Sequence, residues 1–137
     1  MDWRECFDKR IIKNINPDLD MVASLIKTSK NKLKSEEKLV MSSITAGSKI
    51  SLAYDSLREL LEALALKTGY KIYNHECYVA FLKEILKESA IGEEFDEIRK
   101  IRNDVNYYGK EISTEEAKAI IQRIKQLRNS ILKLLGK

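Results

Sequence analysis

Apolar residues recur along this 137-residue chain at intervals of three and four, the spacing of helices with one buried stripe. No stretch alternates as a half-buried strand would. Trp3, Phe7, Ile11, Ile12 and Ile15 predict a short amphipathic helix over residues 3–15. Asn16, Pro17 and Asp18 interrupt it and begin the next: Asn16 caps, Pro17 suits the first turn, and Asp18 and Asp20 favour the positive end of the helix dipole. Leu19, Val22, Ala23, Leu25, Ile26, Leu33, Leu39 and Val40 then mark a long helix. Residues 42–47 gather Ser, Thr and Gly into a connection, after which Ala46 or Ser48 opens a helix with a broad apolar face of Ile50, Ala53, Tyr54, Leu57, Leu60, Leu61 and Leu64. That breadth makes it the central helix. Gly69 supplies its C-cap, residues 71–74 form a short loop, and Asn74 caps a helix that buries Cys77, Tyr78, Phe81, Leu82, Ile85 and Leu86. Ile91 and Gly92 break the pattern, a helix runs from about Glu94 to Gly109, and the Ser113 to Glu116 capping-box spacing opens a last helix along Ala117, Ile120, Ile121, Ile124, Leu127, Ile131, Leu134 and Leu135.

One position defies its stripe. At about 100° per residue, Phe95, Ile98, Ile101 and Val105 share a face, and Arg102 falls inside it. A guanidinium stays charged, so burying it alone would cost several kcal/mol, on the order of a lost buried ion pair. An acid or an anionic ligand such as a phosphate is expected to meet it. Tyr54, Arg58 and Glu62 succeed one another at four-residue steps along the edge of the central helix. The seam reads either as a boundary tyrosine with an Arg58–Glu62 surface pair or with Glu62 as the acid for Arg102, Asp55 or Glu59 being substitutes. Asn103, Asn106, Tyr107 and Tyr108 crowd further hydrogen-bonding groups beside the arginine. His75, the one imidazole, sits in a first helical turn where the dipole favours its neutral form.

Composition narrows the chemistry. One Pro, five Gly and an abundance of Lys, Glu, Leu and Ile favour helix throughout a single domain spanning residues 1–137. Lys plus Arg number 25 against 21 acids, a net +4 and a pI near 9.0, a mild lean toward polyanions. The basic run at residues 27–34 reads as a solvated surface or a phosphate-facing strip. Cys6 and Cys77 stand far apart without ligand spacing and read as reduced, partly buried thiols of a cytoplasmic protein. No signal core or membrane-length apolar run is present, no glycine-rich phosphate loop, no metal-ligand cluster and no cofactor motif.

Two stretches together resemble the HEPN (higher eukaryotes and prokaryotes nucleotide-binding) family. They are Leu52-Ala-Tyr-Asp-Ser-Leu-Arg-Glu-Leu-Leu-Glu-Ala-Leu64, leading to Gly69-Tyr-Lys-Ile-Tyr-Asn-His75, and Ile101-Arg-Asn-Asp-Val-Asn-Tyr-Tyr-Gly109. The resemblance implies an all-α, antiparallel, up-and-down four-helix bundle with an extra short N-terminal helix, commonly a homodimer. It also implies RNA or nucleotide binding, with metal-independent endoribonuclease activity of toxin–antitoxin type in a composite cleft between subunits. An alternative role in the family is a catalytically inactive subunit that partners a minimal nucleotidyltransferase. The family signature is arginine, a polar residue, three more residues and histidine, supported by an acid from an earlier helix. Arg102 matches the arginine, Asn103 the polar residue and Glu62 the acid, while Tyr107 stands at the histidine position. Arg58, Asn106 and Tyr108 would join Arg102 in holding phosphate. A phenol with an ordinary pKa of ~10 is a poor base at pH 7, so this departure weakens or removes catalysis unless a cation lowers its pKa or His75 substitutes.

Overall fold

A computed structural model of the protein describes residues 1–107 and 109–137, with Tyr107 as helix backbone. Nearly all its regular structure is helical, as the spacing of apolar residues predicts, and the departures have identifiable causes.

The first helix, α1, covers only Trp3–Asp8, capped by Asp2, whose carboxylate accepts from the Glu5 amide at 2.8 Å. Arg10 adopts φ +59° and turns the chain out of the helix. The predicted continuation to residue 15 is instead β1, Ile12–Asn14, paired antiparallel with β2, Tyr70–Ile72, in the register Ile12 to Ile72. Spacing alone reads Ile11, Ile12 and Ile15 as helical, but a β-branched cluster takes a strand readily once a distant strand offers its amides and carbonyls. Residues 71–74 are accordingly strand and turn rather than plain loop.

Helix α2 spans Leu19–Lys38. Its cap is Asp18, which accepts from the Met21 amide at 3.0 Å, so the expected Asn16 cap and Pro17 first turn lie outside it. At its far end Lys49 Nζ donates to the carbonyls of Glu36 and Leu39 at 2.6 Å each and pairs with Glu36 Oε1 at 3.0 Å. A cation there satisfies end carbonyls that have no helical partner.

Helix α3, Ala46–Thr68, is buried on most sides, with Ile50, Ala53, Tyr54, Leu57, Leu60 and Leu61 at 0 % exposure. Helices α2, α5 (Ser89–Tyr107) and α6 (Thr114–Leu134) all pack on it. It ends at Gly69, whose φ of +103° suits glycine and whose amide donates to the Ala65 and Leu66 carbonyls. Asn74 caps α4, His75–Ala80, as expected, and Ser113 and Glu116 form the reciprocal capping box of α6.

Two further expectations fail. A π-helical turn, Phe81–Ile85, and the left-handed Lys87 at φ +58° separate α4 from α5, while Ile91 and Gly92 lie inside α5. Gly92 is a close-approach residue: a Cβ there would stand 2.8 Å from Lys83 Cγ in the preceding turn. The cysteines are not thiols but a disulfide, Cys6 to Cys77, buried at 0 % exposure and tying α1 to α4. Sequence spacing is blind to this pairing because 71 residues separate the two. Trp3, Phe7, Tyr70 and Phe81 pack edge to face around the same junction. Among the described residues, no helix is long and apolar enough to cross a membrane.

Candidate functional site

The inward face of α5 carries Phe95 and Ile98, both fully buried, and one turn further Arg102, half-buried. The arginine lies inside the apolar stripe, as its spacing predicts. Its guanidinium carbon sits 5.0 Å from the centre of the Tyr54 ring on α3, and that ring stacks on Phe95 at 6.0 Å and 16°. A cation over an aromatic face is held by the ring quadrupole, a contact worth about 1 kcal/mol when partly exposed.

The same tyrosine reaches a third helix. Its hydroxyl stands 2.9 Å from His75 Nδ1 at the start of α4. Burial raises the Tyr54 pKa well above the ordinary phenol value, against the opposing fields of Arg102, Arg99 and Arg58, so the hydroxyl keeps its proton. Burial lowers the His75 pKa to about 4, and Arg58, Arg102 and Arg99 push it the same way against Asp55. At neutral pH the imidazole is therefore uncharged, with one nitrogen engaged by a phenol. Three guanidiniums from two helices set the potential around this pair.

Glu62 is engaged by two cations, Arg58 and Lys71. Its Oε2 accepts from Arg58 Nη1 and its Oε1 from Lys71 Nζ, each at 3.1 Å. Burial raises the carboxyl's pKa, and Lys71 and Arg58 together outweigh that, leaving it below the ordinary carboxylate value. Arg58 lies N-terminal to Glu62 on the same helix, and Lys71 is brought beside it on β2, whose pairing with the distant β1 the apolar spacing did not reveal. Arg99 is held in the same way by Asp96 on its own helix, at 2.8 Å.

Asn103 is half-buried. Asn106 is exposed, and its Oδ1 accepts from Ser51 Oγ at 3.0 Å, linking α5 to α3. The Tyr107 side chain and Tyr108 lie outside the described residues. Arg102, Arg58 and Arg99 all act on the Tyr54–His75 pair through their charges. Arg99 was legible in principle, since it and Arg102 follow Phe95 at helical spacing on one face. The Tyr54–His75 contact was not, because it depends on how α4 packs against α3.

The chemistry on offer is specific: guanidiniums for an oxyanion, a neutral imidazole nitrogen and a phenolic proton. Among the described residues, no group of three or more His, Cys, Asp or Glu could hold a metal ion. No protein-family model, curated protein or solved structure matches the chain.

Proposed function

We propose that this protein is a HEPN-like, up-and-down four-helix bundle of α2, α3, α5 and α6 that works as a cytoplasmic homodimer and binds RNA or nucleotide phosphate at Arg102. The observation that carries the reading is the Arg102 guanidinium, seated over Tyr54 beside an imidazole that Arg58 and Arg99 also influence. Cations grouped around a neutral base suit a phosphodiester, whose charge offsets their mutual repulsion. In a cytoplasmic setting the Cys6–Cys77 bridge would persist through burial, because a reducing thiol has to reach a sulfur to attack it.

Catalysis on this reading runs through His75 rather than Tyr107. The neutral imidazole takes the proton of a ribose 2′-hydroxyl, whose oxygen attacks the adjacent phosphorus. The 5′-oxygen leaves with a proton from the protonated imidazole or from water, and the arginines hold the charge that builds on the nonbridging oxygens. The bound phosphate raises the His75 pKa back toward neutrality, where proton transfer is efficient.

The runner-up, a silent subunit that partners a minimal nucleotidyltransferase, draws on Val40 and Ile44, which are 82 % and 89 % exposed around the α2–α3 connection. Labelled RNA in EDTA separates the two. The first reading expects salt-sensitive binding that weakens at least tenfold in Arg102→Ala, and cleavage lost in Arg102→Ala and His75→Gln while both variants keep the wild-type circular dichroism. Cleavage that survives Arg102→Ala rejects the site; absence of RNA binding in the wild type leaves the partner role in possession.

A further inference from the structure

We infer that the groove between α2 and α6 is a binding site for a small amphipathic anion, with a carboxylate or phosphate head on a hydrocarbon body. Its centre is Arg128, which is only 6 % exposed. Nη2 donates to Ser29 Oγ on α2 at 2.9 Å, and that hydroxyl donates in turn to the Ser56 carbonyl on α3 at 2.6 Å. Nε is buried and has no hydrogen-bond partner, and among the described residues no carboxylate lies within 4.0 Å of the guanidinium. Arg123, little more than a turn earlier on the same helix, is the contrast: less buried, it holds both Glu94 and Glu97. The more buried of the two arginines is the one without a counter-charge. Burial pulls the Arg128 pKa below the ordinary arginine value, with Glu37 the opposing field.

A buried cation served by a single neutral hydroxyl is strongly unfavourable by itself and favourable once an anion joins it. The surroundings fit that occupant. Arg128 lines a cavity of about 360 Å³ with Ile26, Lys30, Leu33, Lys34, Glu37 and Leu132, a volume in the small-ligand range. Ile26, Leu33 and Leu132 form apolar walls. Lys30 and Lys34, from the basic run at residues 27–34, stand on the same face of α2 and leave the lining at three cations against one acid. An uncharged hydrophobe would leave the arginine unsatisfied, and a bare anion would leave the walls wet. A molecule with both features answers both.

Isothermal titration of the full chain provides the test, with sodium octanoate and octyl phosphate as probes and 1-octanol and inorganic phosphate as controls. One of the two amphiphiles is expected to bind at a single site at least tenfold more tightly than either control, and the tighter identifies the head group. Arg128→Met should reduce that affinity at least tenfold while Tm holds or rises, because an uncompensated buried charge has been removed. The exposed pair Lys30→Ala and Lys34→Ala should weaken it several-fold and covers the case in which Arg128→Met does not fold. The site is overturned if neither amphiphile binds saturably, if 1-octanol binds as tightly as both, or if the lysine pair leaves the affinity unchanged. It is equally overturned if Arg128→Met lowers Tm and keeps wild-type affinity, the behaviour of an arginine that merely joins two helices.

Discussion

Arg102 and His75 show how much a single side chain owes to its neighbours. Spacing turns Arg102 inward, its guanidinium lies over the face of Tyr54, and the same ring's hydroxyl then holds His75. The imidazole has a folded-state pKa of about 4, below the ordinary 6.5. The unfolded chain therefore takes up a proton first, so the stability tied to this group is complete above pH 6.5 and is lost as the pH falls toward 4. Unfolding by urea at pH 7.0, 6.0 and 5.0 should show wild type losing more stability across that window than His75→Gln, which has nothing to titrate there. Parallel curves for the two proteins would mean that the histidine is neither buried nor in the field of the arginines.

At the scale of helices, end chemistry decides where each segment stops and which segment it meets. Lys49 is the strongest case, since one buried ammonium closes two carbonyls at the end of α2 and neutralises Glu36, which is 3 % exposed. Lys125 reaches the other Glu36 oxygen at 3.5 Å and is too exposed to replace it. Removing one member of a buried pair strands the other, so Lys49→Met should cost about 3 kcal/mol in urea denaturation. The double variant Lys49→Met with Glu36→Gln should recover part of that loss. Gly92 belongs to the same scale. A glycine within an apolar pattern reads as a break, yet here it lets α5 lie against the turn that precedes it.

For the whole molecule, the disulfide and the short sheet fasten the N-terminal segment to the junction between α3 and α4. Closing a loop of 71 residues restricts the unfolded chain, and in the loop-entropy account such a bridge is worth about 4 kcal/mol. Reduction, or the pair Cys6→Ala with Cys77→Ala, should lower stability by roughly that amount and expose α1 to proteolysis before the helices that pack on α3. Equal stability with and without a reductant, with free thiols titrating in both, would remove the bridge from the fold.

The boundaries at Gly69, Asn74 and Ser113, the central place of α3 and the inward turn of Arg102 were all legible in the sequence, because each rests on caps or periodicity within a few residues. The strand at Ile12, the Lys71 partner of Glu62, the Ser29 partner of Arg128, the Tyr54–His75 contact and the cysteine pairing were not. In each case the deciding group lies on another element, up to 99 positions away along the chain. Local energetics select the helices, while the packing of those helices decides which charges find a partner and which are left facing a cavity.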